Sequence, residues 1–173
     1  MTSMKTMKNF ILLATLASLT LVGCKKNDTQ SCSYTSSTAV APSAEIAFLQ
    51  NYITTNNITA VQHPSGVFYT LNNAGTGSTP GVCSNITVKY TGRLLGGAVF
   101  DSNTSNTGVR FVLGDLILGW QRVLPLLKGG GTITLYIPPS LGYGANPIAN
   151  NAGVVIIPGN SYLQFDIELL DVL

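Results

Sequence analysis

The spacing of apolar residues predicts one short helix in the second half of the chain. After Gly119, apolar side chains recur at three- and four-residue intervals, which puts them on one face of a helix. They are Trp120, Val123, Leu124 and Leu127. The flanking residues 110–113, 132–138 and 162–170 are typical of strands. Because the apolar helix face must be covered, we expect an α+β fold, in which a curved antiparallel sheet wraps around this helix with Trp120 at the junction.

A second short helix is predicted nearer the N-terminus, from Ser43 to about Thr55. Ser43 is a suitable capping residue, Glu45 lies near the positive end of the helix dipole, and Asn56-Asn57 supply the stop. The apolar face of this helix consists of Ile46, Leu49, Tyr52 and Ile53. We expect this helix to precede the sheet and to pack through that face.

The segment between the two helices contains strands and turns. The sequence His63-Pro64-Ser65-Gly66 predicts a turn, with His63 in solvent, and residues 67–71 predict a strand. Residues 86–92 and 98–102 predict two paired strands joined by a turn at Gly96-Gly97. The glycine-rich residues 75–81 fit neither phosphate-binding pattern.

The N-terminus has the pattern of a secretion signal. Lys5 and Lys8 precede an apolar run, residues 10–22, which is too short to cross a bilayer but suits a signal peptide. Its end, Leu21-Val22-Gly23-Cys24, resembles the bacterial lipoprotein signal, in which the cysteine is acylated. The alternative is an ordinary signal peptide that leaves Cys24 free. We expect a lipid-anchored protein of the cell envelope, in the outer membrane of a Gram-negative bacterium, facing the periplasm or the surface.

Composition and charge divide the chain and exclude one class of partner. We expect a signal peptide at 1–23, a flexible Ser/Thr-rich tether at 24–42, a helix and first strand at 43–81, and a domain at 82–173. The net charge of +2 comes from nine basic and seven acidic residues. Without Lys5 and Lys8 the two signs balance, and no basic patch indicates a nucleic-acid partner.

Two cysteines remain if Cys24 is acylated. In an oxidising compartment an even number favours one disulfide, Cys32 to Cys83, which would tie the tether to the sheet. The alternative is two free thiols.

Five blocks of the sequence resemble those of one enzyme family. They are VKYTGRLLGGAVFDS, VRFVLG, LILGW, LYIPPSLGYG and IIPGNSYLQFDIELL. Their order and spacing are similar to those of the FKBP-type peptidyl-prolyl cis-trans isomerases, over residues 82–173. The resemblance implies a half-open pocket in which a substrate proline ring lies on the indole of Trp120.

The resemblance also assigns the walls of that pocket. Its implied catalytic and lining residues are Tyr90, Phe100, Asp101, Leu116, Ile117, Trp120, Tyr143, Ile156 and Phe165. Ile157 falls beside the pocket, and Val109 stands where the family usually has an aromatic residue. The Ile117 amide and the Tyr143 hydroxyl are implied donors to substrate carbonyls. Residues 103–108 lack the arginine that often pairs with the pocket carboxylate, so Asp101 must be held otherwise, by Tyr90 or by backbone.

The residue types suit catalysis by shape rather than by covalent chemistry. A prolyl isomerase needs no nucleophile, metal or cofactor, and the sequence offers no Ser-His-Asp set or Cys/His ligand cluster. The expected partners are proline-containing polypeptides, the membrane through acylated Cys24, and macrolide inhibitors of the family such as tacrolimus. The alternatives are a proline-binding chaperone module with little or no catalysis, and a structural surface lipoprotein.

Overall fold

An antiparallel sheet and a short helix on one of its faces form the centre of the computed structural model, which describes residues 32–173. The predicted signal peptide and Cys24 lie outside the described residues. Nine strands are present among the described residues. They are β1 (Val61–Gln62), β2 (Phe68–Asn73), β3 (Asn85–Leu94), β4 (Val99–Asn103), β5 (Val109–Val112), β6 (Gly131–Ile137), β7 (Ile148–Ala149), β8 (Val155–Ile157) and β9 (Leu163–Val172).

Long-range pairing sets the order of the strands. Seven of them form one sheet in the order β1-β2-β6-β9-β3-β4, and β5 also pairs with β3. β3 is long enough to pair with β5 near its start and with β4 near its end, while β9 covers its whole length on the other side. β7 and β8 form a separate hairpin. The predicted antiparallel sheet is confirmed.

The main core lies between the sheet and helix α2 (Leu118–Val123). Trp120 and Val123 of α2 are buried against strand residues that include Leu135 and Phe165. Gly119 allows the close approach of helix and sheet, because a Cβ at that position would lie 2.6 Å from Ile137 Cγ2. The position of Trp120 at the junction of helix and sheet therefore follows from close packing on both sides.

Helix α1 (Ser43–Thr55) lies on the opposite face of the sheet. Leu135 belongs to the main core, whereas its neighbour Tyr136 packs with Leu49 and Ile53 of α1. Successive strand residues point to opposite faces, so α1 and α2 cover different sides of the sheet. The predicted N-terminal helix is confirmed, and it ends at the predicted residue, Thr55.

Several details differ from the sequence prediction. The central helix begins at Leu118, before Gly119, and gives way after Val123 to a single 3₁₀ turn (Leu124–Leu126), because Pro125 has no N–H to continue the helix. Ser43 is the first helical residue of α1, and the N-cap is Pro42. Strands β1, β7 and β8 were not predicted, because two or three residues carry too little periodicity.

The predicted tether is not free over its described part. Residues 32–42 have no regular secondary structure, but Ala41 is buried and Ala39 packs against the main core. The Ala41 amide donates to the carbonyl of Ser65 at 2.9 Å. Among the described residues, no helix is long and apolar enough to cross a membrane.

Candidate active site

A cavity of about 200 Å³ opens between the sheet and the start of α2. Trp120 lies at the N-terminal end of α2, and the other walls come from the sheet and the loops that connect its strands. The lining residues are Tyr90, Asp101, Phe111, Leu116, Ile117, Trp120, Tyr143 and Phe165. Seven of these eight were predicted from the sequence. The structure thus brings together residues that are up to 75 positions apart in the chain.

Edge-to-face aromatic contacts hold the shape of the cavity. The ring of Trp120 lies 5.2 Å from that of Phe165 and 5.7 Å from that of Tyr90, with interplanar angles of 88° and 82°. Phe100 does not line the cavity. It lies behind Phe165 and beside Tyr143, at centroid distances of 5.6 and 6.4 Å. Such pairs favour this perpendicular geometry, so the walls are fixed before any ligand arrives.

Three other predicted residues do not line the cavity. Val109 is half-buried on β5, paired with Val88, and Ile157 is buried in the main core. Ile156 is half-buried on β8 and packs against the same core. Val109 and Ile156 thus pack against the same apolar core that contains Ile157, and none of the three borders the cavity.

Phe111 is the one lining residue that was not predicted from the sequence. It lies two positions after Val109 on β5, so both side chains are on the same face of the strand. Its ring lies 6.1 Å from that of Tyr90. The aromatic ring that is absent at Val109 is therefore supplied by Phe111, two residues later. The alternation of side chains along β5 predicts that both residues share one face.

Asp101 lies at the rim of the cavity and accepts a hydrogen bond from Tyr90. The Tyr90 hydroxyl lies 2.6 Å from Asp101 Oδ2, so the carboxylate is held by Tyr90, one of the two options that the sequence left open. Asp101 is exposed. Its charge is therefore solvated and does not depend on a cationic partner.

The two tyrosine hydroxyls of the cavity keep their protons to high pH. Burial raises the pKa of Tyr90 above its ordinary value, and the hydrogen bond to Asp101 and the charge of that carboxylate raise it further. Burial also raises the pKa of Tyr143, again with a contribution from Asp101. Tyr143 is therefore a hydrogen-bond donor throughout the neutral range, while the Tyr90 proton is engaged with Asp101.

The backbone amide of Ile117 is available to donate a hydrogen bond to a carbonyl. It makes no hydrogen bond to another part of the described chain, although Ile117 O accepts from Trp120 N at 3.0 Å. Ile117 is the N-cap of α2, with φ −57° and ψ 149°. A cavity-lining amide without a protein partner is suited to a substrate oxygen.

Gly92 is required behind the aromatic wall. A Cβ at this position would lie 2.6 Å from Phe165 and 2.8 Å from Phe100. Gly92 is buried on β3, where it pairs with Phe165 of β9. Its missing side chain leaves the space that the two rings occupy.

A larger concavity of about 410 Å³ lies elsewhere, on the polar side of the sheet. Threonines line much of it, and its charges are already paired, Lys89 with Glu168 at 3.3 Å. It is an open surface with no convergent unpaired group. The smaller aromatic cavity is therefore the better candidate site, despite its size.

His63 lies outside the cavity and is not in open solvent. Its Nδ1 accepts a hydrogen bond from the Ser65 amide at 3.1 Å and lies 2.8 Å from the Ser65 hydroxyl. Partial burial lowers its pKa, and the charge of Arg122 lowers it further. His63 stabilises the turn before β2 and takes no part in the candidate site.

Cys32 and Cys83 are joined as a disulfide, with Cα atoms 5.8 Å apart. This separation is within the usual range for such bonds. The bond connects the N-terminal end of the described chain to the segment before β3.

Comparisons with known proteins agree with this geometry. Residues 77–170 match the family model described as FKBP-type peptidyl-prolyl cis-trans isomerase. The chain is similar to FKBP-type peptidyl-prolyl cis-trans isomerase FkpA of Buchnera aphidicola, with 44% identity over 110 residues, covering 62% of this chain and 41% of the relative. It is also similar to outer membrane protein MIP of Legionella longbeachae, with 38% identity over 111 residues, covering 63% and 45%. The chain thus spans less than half the length of these relatives.

A solved structure shows the same fold. The crystal structure of FkpA from Escherichia coli superposes with a TM-score of 0.62 and 36% identity, covering 75% of this chain and 59% of that one.

Proposed function

The chain belongs to the FKBP-type peptidyl-prolyl cis-trans isomerase family, whose model matches more than half of its residues, and from this premise we propose that it accelerates X-Pro isomerisation in polypeptides. The observation that carries the proposal is the cavity itself. Its aromatic walls are preformed around Trp120, and the Ile117 amide and the Tyr143 hydroxyl border it. It offers a small, mostly apolar space with a few polar groups at the edge.

The proposed mechanism is preferential binding of the twisted amide. Resonance in the planar amide imposes a rotation barrier of about 18–20 kcal/mol, and spontaneous exchange takes roughly tens to hundreds of seconds. Twisting breaks this resonance and makes the amide less polar. An apolar cavity that binds the twisted form better than either planar form lowers the barrier, and each tenfold gain needs about 1.4 kcal/mol of differential binding.

Each polar group of the cavity has a role in this scheme. The Ile117 amide and the Tyr143 hydroxyl donate to carbonyls of the substrate and fix its orientation. Asp101, held by Tyr90, orients the rim and handles no proton. The proline ring rests on Trp120, between Tyr90 and Phe165, and Phe100 supports the wall from behind. Val109, Ile156 and Ile157 contribute to the packing around the cavity.

Turnover of a short X-Pro peptide separates this function from that of a proline-binding chaperone. We expect the protein to increase the exchange rate in proportion to its concentration. If the protein binds the peptide, as measured by the fluorescence of Trp120, but does not accelerate exchange, it is a binding module.

The clients proposed are exported proteins that fold in the cell envelope. The N-terminal lipoprotein pattern and the similarity to an outer membrane protein support this location. We infer that Cys24 is acylated and anchors the chain in the outer membrane, facing the periplasm or the surface. Cys24→Ser should remove the protein from the detergent phase, and unchanged partitioning would contradict the anchor.

Macrolide inhibitors such as tacrolimus are proposed ligands of the same cavity. The support is the aromatic lining around Trp120. Competition between the macrolide and an X-Pro peptide, followed by Trp120 fluorescence, tests this, and simultaneous binding of both would contradict it.

A further inference from the structure

A strap of chain, residues 32–41, crosses the protein beside the loop that leads into α2. Its ends are fixed, by the Cys32–Cys83 disulfide and by the hydrogen bond from Ala41 to Ser65. Arg122 of α2 holds the middle, because its guanidinium donates to the carbonyl of Ser37. No residue of the strap lines the aromatic cavity. Any influence of the strap on the cavity must therefore pass through its neighbours.

Tyr34 is the strap residue that contacts this loop, residues 113–117. Its ring lies against Gly114, so closely that a Cβ at Gly114 would overlap three of the ring carbons. Its hydroxyl donates to Asp115 Oδ1. Tyr34 thus fixes two successive loop residues, one by packing and one by a hydrogen bond.

The same loop is held on two other sides. The amides of Leu113 and Gly114 donate to carbonyls of the segment around Cys83, at 3.0 and 2.7 Å. The Gln121 side-chain amide donates to the carbonyls of Gly114 and Leu116, at 3.0 and 2.6 Å. These bonds restrain the backbone, and Tyr34 covers the remaining side at Gly114 and Asp115.

The residues that follow in the loop, Leu116 and Ile117, line the cavity. We propose that Tyr34 is a positioning residue, which holds residues 113–117 so that the Ile117 amide is placed to bind a substrate carbonyl. The inference rests on the proposed function and extends it to a residue outside the cavity. A hydrogen bond weakens steeply with angle and distance, so a shift of this loop by about 1 Å costs both affinity and rate.

Substitutions on both sides of the contact test the proposal in the full chain, kept in mild detergent. In Tyr34→Ala, we expect the dissociation constant of an X-Pro peptide to rise about three- to tenfold and kcat/KM to fall by a similar factor. Tyr34→Phe keeps the ring on Gly114, so its effect should be smaller. Gly114→Ala should impair binding as Tyr34→Ala does, because the new methyl group displaces the ring.

The decisive variant combines both changes. If the two residues act through one contact, Tyr34→Ala with Gly114→Ala should be no worse than Tyr34→Ala alone, since the methyl group enters the space that the ring has left. Val40→Ala is the matched control, because Val40 belongs to the same strap and is 60% exposed. Peptide affinity is read from Trp120, the single tryptophan of the chain.

The outcomes separate this proposal from the proposed function. Wild-type affinity and turnover in Tyr34→Ala, or additive losses in the double variant, would overturn the positioning role while leaving the isomerase intact. A lower melting temperature with unchanged affinity would likewise reduce Tyr34 to a stabilising residue. A wild type that binds peptide in a Tyr34-dependent way without turnover would overturn only the isomerase, and one that neither binds nor turns over would overturn both.

Discussion

The hydroxyl of Tyr90 lies 2.6 Å from Asp101 Oδ2, and this hydrogen bond connects β3 to β4 at the rim of the aromatic cavity. Tyr90 thus holds Asp101 in place of an arginine, which residues 103–108 do not contain. It also gives Asp101 a defined orientation without any need for proton transfer.

The first prediction concerns this pair. In Asp101→Asn, the amide oxygen can still accept from Tyr90, so we expect kcat/KM to fall by less than about tenfold, the value of one hydrogen bond. Phe100→Ala removes the ring that contacts Phe165 and Tyr143, so kcat/KM should fall further. Steady-state turnover of an X-Pro peptide by the two variants measures this. Complete loss in Asp101→Asn with normal activity in Phe100→Ala would show that Asp101 handles a proton.

The second prediction distinguishes Phe111 from Val109. Phe111→Leu should lower kcat/KM about two- to tenfold, because it removes an aromatic contact with Tyr90 at the cavity wall. Val109→Phe should bring no gain, since Val109 does not line the cavity. The same peptide assay serves for both. A rate increase in Val109→Phe would mean that this position limits the enzyme.

The third prediction concerns pH. The raised pKa values of Tyr90 and Tyr143 keep both hydroxyls protonated at neutral pH and well above it, so these groups give kcat/KM no slope between pH 6 and 8. A bell-shaped profile in this range would contradict the mechanism.

Stability should depend on pH through His63. Its pKa in the folded protein is lowered below the ordinary value of about 6.5, so the unfolded chain binds the proton more readily. The stability that the protein gains from neutral His63 is complete above about pH 6.5 and decreases as the pH falls towards the folded pKa. His63→Asn, which does not titrate, should remove this part of the slope in denaturant unfolding. Identical slopes for wild type and variant would refute the assignment.

The fourth prediction is that the disulfide stabilises the domain. The two cysteines are 51 positions apart, and closing a loop of that length contributes about 4 kcal/mol in the chain-entropy model. Reduction should therefore lower the melting temperature by on the order of 10 °C. Thermal unfolding of the oxidised and reduced protein measures this. Rapid labelling of both thiols in the native, unreduced protein would show that the bond is absent.

Features that depend on local sequence patterns could be predicted from the sequence. The helix of residues 43–55 could be predicted because periodicity and stop signals agree there, and α2 because its apolar face is dense. The early end of α2 at Val123 was foreseeable from Pro125. Most of the cavity could be predicted because the motif blocks carry it.

Other features depend on contacts that the sequence does not encode locally. The contact of Tyr34 with Gly114 joins residues 80 positions apart, so no local pattern indicates it. The Ser/Thr-rich composition of residues 24–42 predicted a flexible tether instead. The resemblance assigned a pocket position to Val109 and none to Phe111, although both are on one face of the same strand. The resemblance placed Ile156 in the cavity wall and Ile157 beside it, whereas Ile157 belongs to the main core and Ile156 packs against that core.

We propose that the cavity around Trp120 catalyses X-Pro isomerisation by shape. The most direct test is the exchange rate of an X-Pro peptide with wild type, with Trp120→Phe, and with Phe48→Ala as control, since Phe48 is a half-exposed aromatic on α1 outside the cavity. We expect acceleration by wild type and Phe48→Ala, and a clear reduction in Trp120→Phe. An exchange rate with folded wild type equal to that of the peptide alone would contradict it.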